Sequence, residues 1–501
     1  MVLSRLHQSE IMISRIKNFI KRIELGGIDD KLIYTILKMF SISTYEPPRE
    51  EFFNSIGKDE SYGYYAQVMK QVYVLGSKWK YGLAKSCELV AERVKNNILR
   101  DFLVRFSQIL SLGENINTFL ASELQTNFLE YSFLYDRMLE ALKTLLGIYS
   151  TVMSSFMFLL VNIIVLSMLW GSGASIIIDT FIAIILSQAG LVFVIHKLVP
   201  NEQLLTRDKR FIKQYKSFQL TFLIALIISI LMGIVAYFRT QKIELSMLIF
   251  GILLLLPGYL AKKLENYIKH TESYFPTFIR SFGNTLALVS LPVYALRSLL
   301  RSDFGPLTQP LKKLYARLSN GISEEIAWNF FVLETGSEMI RRMMNIFIET
   351  VLKGGKVSIV GNTIGDISER LIEMRKKREQ AAKTFESVIY MLHSITVAII
   401  VFITNLVTLL SLYLSNLKTI IPIANVPGDI INIISISSII AITILNALTI
   451  KIAQRGFWHT FWYYFAILMI ISSSAVLITN ILVSTLFSYF STQLSPILPQ
   501  P

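Results

Sequence analysis

Gly354-Gly355-Lys356-Val357-Ser358 is the stretch of this chain most like a phosphate loop, in which backbone N–H groups and a lysine surround a nucleotide's phosphates. The lysine is followed by Val357 where that loop needs Ser or Thr, and no glycine stands five positions before Gly355. The nucleotide reading fails, so any ATP-driven work here would be done by another chain. The five histidines, His7, His196, His270, His393 and His459, show no His-Glu-x-x-His spacing, and Cys87 is the lone cysteine. No metal centre or cofactor is expected from them, and Cys87 reads as a small packed hydrophobe. An intramembrane aspartyl protease needs two facing acids, one as base and one as acid, whereas Asp179 alone falls inside a long apolar window. It stands near a window's end, where snorkelling to the interface is the ordinary reading and a proton relay the sharper one. His393, with Asn162 and Asn405, reads as hydrogen-bonding glue between helices rather than a transport site. The chain is therefore not expected to be an enzyme.

The elements that carry these residues are set by hydropathy. With 53% hydrophobic and 17% charged residues among 501, the chain is too apolar for a soluble enzyme and too charged for spans alone. A hydrocarbon layer of roughly 30 Å needs about 20 apolar residues per helix. Windows of that kind lie at 147–170, 176–199, 220–238, 245–260, 388–414, 430–450 and 457–487, so about seven spans are expected. Pro257 allows a kink in the shortest, and Trp458, Trp462, Tyr463 and Tyr464 open the last as an interfacial aromatic belt. The windows are continuously apolar rather than alternating, which excludes a barrel. Arg5, Arg15, Lys17, Lys21 and Arg22 interrupt the N-terminus, which does not read as a signal peptide. Lys197, Arg207, Lys209, Arg210, Lys213 and Lys216 fill the loop after the second window, with Lys451 and Arg455 before the last. The presumed outer segments hold only Arg239, Lys242 and Lys418 as cations. The positive-inside rule then puts the N-terminus in the cytoplasm and the C-terminus outside, and most of the net charge of +14 on the inner face. Such a face suits anionic lipid or an acidic partner; nothing points to nucleic acid.

Two charged, helix-patterned blocks precede the span bundles, and they look alike. In the first, Phe102, Leu103, Phe106, Ile109 and Leu110 recur at helical spacing opposite Arg100, Asp101, Arg105 and Gln108, up to a stop at Gly113. In the second, Ile340, Met343, Met344, Phe347 and Val351 oppose Arg341, Arg342, Asn345 and Glu349, up to Gly354. Earlier glycine breaks at Gly82 and Gly321 precede these stops by intervals that agree to within about two residues, the mark of a duplication. Both blocks end in charged helices, 131–146 and 367–386, that run without Gly or Pro into the next span and could transmit torque or tilt. The expected organisation is a basic helical arm at 1–46, a bundle at 47–146, spans at 147–260, a second bundle at 261–387, spans at 388–487 and an outer tail at 488–501. Strand-like alternation is absent, so the expected fold is all-α.

Placed in order along the chain, the stretches Tyr274-Phe-Pro-Thr-Phe-Ile-Arg-Ser-Phe-Gly283, Asp303-Phe-Gly-Pro-Leu307, Leu318-Ser-Asn-Gly321, Glu334-Thr-Gly-Ser337 and Gly354-Gly355 resemble the archaeal branch of the type II secretion F family. Trp79-Lys-Tyr-Gly82, Asp101-Phe-Leu-Val-Arg105 and Leu112-Gly-Glu114 are weaker matches. These are the membrane platforms of type IV pili, archaella and secretion pseudopili, and the resemblance implies that each block is a cytoplasmic helical F domain. It also implies a non-enzymatic platform on which a hexameric secretion ATPase docks while pilin or archaellin subunits are lifted from the membrane into a filament. Lys312, Lys313, Arg317, Arg341, Arg342, Arg375, Lys376, Lys377 and Arg378 are the candidate ATPase-docking residues. Motility and adhesion, monomer and homodimer, all stay open. The runner-up is a secondary transporter; its midplane would concentrate broken helices and polar groups, whereas here the duplication lies in the charged blocks. A signalling receptor would need a phosphotransfer or nucleotide motif, and none is visible.

Overall fold

The computed structural model describes residues 29–170, 174–200, 202–206, 212–414 and 428–494. These residues are helical throughout, with one isolated antiparallel bridge between Leu205 and Ser337 and no strand among them. They divide into two compact units. One comprises 1–140, 200–213 and 266–377, the other 141–199, 214–265 and 378–501.

The first unit contains both charged blocks. Its first block runs α1 (Asp30–Ser43), α2 (Glu51–Lys58), a 3-10 turn (Glu60–Tyr62), α3 (Tyr64–Tyr73), α4 (Leu83–Ala91), α5 (Asn97–Leu112) and the start of α6 (Ile116–Trp170). The second runs from the end of α9 (Ile243–Val289) through α10 (Pro292–Leu299), a 3-10 turn (Gly305–Leu307), α11 (Thr308–Ser319), α12 (Glu324–Thr335) and α13 (Glu338–Leu352) to the start of α14 (Val357–Leu414). The order of elements repeats, including the 3-10 turns, and Gly82, Gly113, Gly321 and Gly354 all adopt positive φ. Helix starts are capped where the sequence provides a short polar side chain. Asn96 accepts from the N–H groups of Ile98 and Leu99 at 3.0 and 3.2 Å, and Ser337 from that of Ile340 at 3.1 Å. Each block packs an aromatic cluster: Phe53, Phe102 and Phe106, with half-buried Phe119, in the first, and Phe278, Phe282, Trp328 and Phe347 in the second.

Helix α1 differs from a free arm. Leu32, Ile33, Ile36, Leu37 and Met39 are fully enclosed, and its polar side chains reach α13: Lys38 pairs with Glu349 at 3.1 Å and the Ser41 and Thr350 hydroxyls hydrogen-bond. The chain before Asp29 lies outside the described residues.

The second unit holds the apolar helices. Six helices among the described residues are long and apolar enough to cross a membrane: within α7 (Ala174–Leu198), α8 (Lys213–Thr240), α9, α14, α15 (Gly428–Gln454) and α16 (Phe461–Leu494). The chain is an all-helical, multi-pass membrane protein. The first expected span, 147–170, lies on α6, where many of the side chains fall outside the described set. Close helix contact is bought by glycine: a Cβ on Gly258 would stand 2.6 Å from the Tyr463 backbone. The polar residues pair with one another. His393 meets the Ser472 hydroxyl at 2.7 Å and the Asn446 amide at 3.0 Å, Asn446 accepts from the Tyr149 hydroxyl at 2.6 Å, and Asn405 donates to Asn480 at 2.8 Å. His393 and Asn405 thus join helices as glue. Asn162 donates at 2.7 Å to the Phe158 carbonyl of its own helix, and Asp179 is exposed.

Candidate partner interface

The nine candidate cations do not form one surface. On α11, Lys312 and Lys313 are exposed, while Arg317 turns inward to Glu334 on α12, with its guanidinium over the Phe330 ring at 5.0 Å. Lys313 reaches the same carboxylate at 3.4 Å. On α13, Arg341 forks onto Glu338 at 2.6 and 2.8 Å. Arg342 shares Glu338 at 3.0 Å, approaches Asp30 at 3.8 Å and stacks over the Tyr34 ring. On α14, Arg375 is enclosed between Glu202 and Glu272, Lys376 and Lys377 are exposed, and Arg378 is buried. Lys377 lies 3.8 Å from Asp136, whereas Lys312 and Lys376 form no ion pair among the described residues. Helical periodicity produces this split: four consecutive cations 375–378, about 100° apart, spread over about 300° of the helix, so some face inward.

The inward group clasps the segment 202–206 to the second block. Thr206 donates to the Gly336 carbonyl and Glu338 to the Leu204 carbonyl, both at 3.0 Å, and Glu202 reaches Arg375 at 3.2 Å. Glu272 accepts from Arg375 at 3.0 Å and from the Ser337 hydroxyl, so one serine caps α13 and fixes the acid. Gly336 closes the turn at φ +71°, where a Cβ would fall 2.8 Å from Ile212. Burial pushes the Asp30 carboxyl up, against the lowering influence of Arg342. Burial acts in the same sense on Glu338, but hydrogen bonds and charge from Arg341 and Arg342 outweigh it and hold that carboxyl below its ordinary value. The sequence reading missed the acids of this clasp: Glu202, Glu272 and Asp30 have partners distant in the chain, whereas Glu338 pairs with Arg341 and Arg342 three and four residues on, a spacing that could have revealed it. It also missed Glu265, which is fully enclosed with Lys451 at 3.3 Å and accepts from the Phe457 N–H at 3.0 Å in the turn before α16. Apart from Glu338, their only local signal is acidity inside otherwise amphipathic or apolar stretches.

The arrangement joins helices through arginine–carboxylate pairs. Among the described residues no group of three or more His, Cys, Asp or Glu side chains could hold a metal ion. What it offers is a helical scaffold with separate exposed lysines. Residues 278–406 match the family described as type II secretion system (T2SS), protein F. This stretch is a type II secretion system F domain. All nine candidate cations lie in the F domain, and its boundaries take in α10–α13 together with much of α14. The wider chain resembles Flagella accessory protein J of Methanocaldococcus jannaschii, 27% identical over 482 residues that cover 91% of this chain and 85% of that protein. It is similarly close to Flagella accessory protein J of Methanococcus voltae, 25% identical over 452 residues, 86% and 81% of the two chains. No solved structure matches it.

Proposed function

We propose that the protein is the membrane platform of an archaellum or type IV pilus-like assembly machine, with the N-terminus and both helical blocks in the cytoplasm and the C-terminus outside. The single observation that carries this reading is the F domain set within a chain that resembles Flagella accessory protein J over most of its length. A hexameric secretion ATPase docks on the helical blocks, and its cycle lifts pilin or archaellin subunits, held by their apolar helices against the spans, into the filament. The platform itself catalyses nothing.

Of the nine candidate docking residues, Lys312, Lys313, Lys376 and Lys377 are exposed, which supports assigning the docking to these four. The five arginines of the original set serve the fold, so reversing all of Arg375–Arg378 would confound docking with folding. The test is copurification in detergent with a hexameric secretion ATPase of the same organism. Wild type is expected to retain the ATPase, and Lys312→Glu with Lys376→Glu to weaken retention about tenfold while the melting temperature holds. Absence of a complex with the wild type, or undiminished binding and filament assembly by the charge-reversed protein, sinks the docking assignment. Substrate uptake by the protein in proteoliposomes would favour a transporter instead.

A further inference from the structure

Between α3, the π-helical turn Val74–Lys78 and α4 lies a groove of about 990 Å³. Val68, Leu75 and Val90 are among the apolar side chains that line it, and Tyr64, Trp79 and Tyr81 stand around it, the last two 65% and 58% exposed. Its charged lining is Lys70 and Arg93, with no carboxylate, and both are exposed and form no ion pair among the described residues. Lys78 and Lys80 project from the adjoining turn. On α4 the nearby acid Glu88 lies outside the lining and pairs with Lys85 at 2.8 Å. The turn is held against its own hairpin. A Cβ on Gly76 would stand 2.6 Å from the Leu83 side chain, so the π turn is pressed on the start of α4. The backbone then passes through Lys80 at φ +59°, a conformation costly for a residue with a side chain. The repeat supplies a control. Its counterpart hairpin joins α11 to α12 through the four residues 320–323 with no π turn, whereas the first block uses the nine residues 74–82. In that counterpart the Arg317 guanidinium covers the Phe330 ring and shares Glu334 with Lys313. The open groove with its unpaired cations is thus a departure of one block, which the common helical order does not require.

We propose that this groove is a docking site for an acidic amphipathic helix of a partner protein on the same side of the membrane. Apolar side chains one turn apart on that helix enter between α3 and α4 onto Val68, Leu75 and Val90, with Trp79 and Tyr81 packing along their sides. Acidic residues beside them face Lys70 and Arg93, whose charges set the orientation and the rate of encounter. The walls favour a helix, because two helices leave a channel that a third can lie along. No strand exists among the described residues for an extended peptide to join. A basic segment is repelled, and a flat bilayer surface cannot reach apolar side chains at the floor of a depression. The groove is separate from Lys312, Lys313, Lys376 and Lys377, which lie within the stretch matched to the F family, so it stands whether or not the ATPase docks on those lysines.

The test uses the full chain in nanodiscs as bait for a phage-displayed library of random peptides, with lipid-only nanodiscs as the blank. Enriched sequences are expected to carry Asp or Glu together with apolar residues three and four positions apart. A synthetic peptide of the most enriched sequence should bind Lys70→Glu with Arg93→Glu about tenfold more weakly than wild type. Replacing its acids with Lys should restore binding to the charge-reversed protein. Both substituted side chains are exposed, so the melting temperature should hold, and the secretion ATPase should still copurify. No enrichment over the blank, enrichment of basic sequences, or equal binding by wild type and the reversed protein overturns the proposal. Loss of the ATPase from the reversed protein also overturns it, since the ATPase itself would then occupy the groove. A label at Tyr81→Cys quenched by brominated lipid overturns it in favour of the membrane; native Cys87 is buried and does not compete for the label.

Discussion

At Arg375 one guanidinium stands between two carboxylates, Glu202 at 3.2 Å and Glu272 at 3.0 Å, and all three side chains are largely shielded from water. Removing the arginine would leave two buried acids facing each other. Arg375→Ala is therefore expected to cost roughly 3–5 kcal/mol, read as a large drop in melting temperature in detergent, whereas Lys376→Ala one residue on should stay within about 0.5 kcal/mol. Equal effects at the two positions would refute this division of labour. Glu338 supplies a pH signature. Its carboxyl is held below the ordinary value by Arg341 and Arg342, so its stabilising contribution is complete above about pH 4.5 and disappears as pH falls through the folded value. Asp30, raised by burial, has the opposite sign: folding favours its protonated form, so it gains on acidification. Melting curves taken from about pH 6 down to about pH 3 should thus show a shallower acid loss for Glu338→Gln than for wild type, from a lower starting stability. A steeper loss in the variant would contradict the assignment.

At the scale of elements, the second block is organised by the crossing of α9 and α14. A Cβ on Gly283 would lie 2.8 Å from the Val357 carbonyl, and one on Gly361 would lie 3.0 Å from that of Ile279. The obstacles are backbone atoms, which cannot rotate aside. Gly361→Val is expected to cost about 1–3 kcal/mol or more through overpacking, measured by thermal denaturation. An unchanged melting temperature would mean that the helices are not held at this separation. The charged helices at the ends of the two blocks, expected from the absence of Gly and Pro, are continuous: α6 runs unbroken from Ile116 to Trp170 and α14 from Val357 to Leu414. Hydropathy could place each apolar window because a bilayer's thickness imposes a length. It could not show that α1 is enclosed, because Asp30–Ser43 finds the partners of its polar side chains more than three hundred residues away.

For the whole molecule, the sidedness proposed from the basic loops has a direct check. Lys242, in the short connection between α8 and α9, is exposed. A cysteine there should react with an impermeant reagent added outside, and one at Lys376 only after the membrane is opened; the reverse pattern would invert the platform. Most of the presumed outer segments 171–175 and 415–429, namely 171–173 and 415–427, lies outside the described residues, so this connection is the better probe. By itself the sequence determined the all-helical class, the spanning windows among the described residues, the missing nucleotide loop and the glycine stops. Each of these follows from local periodicity, from segment length against bilayer thickness, or from a motif read in one stretch. Only the tertiary structure decided which cations are free. Arg317, Arg342 and Arg375 read from sequence like Lys312 and Lys376, yet each of these arginines meets a carboxylate of another element on folding. A pattern can show that a face is charged; whether another segment brings the opposite charge to it depends on contacts between residues far apart in the chain.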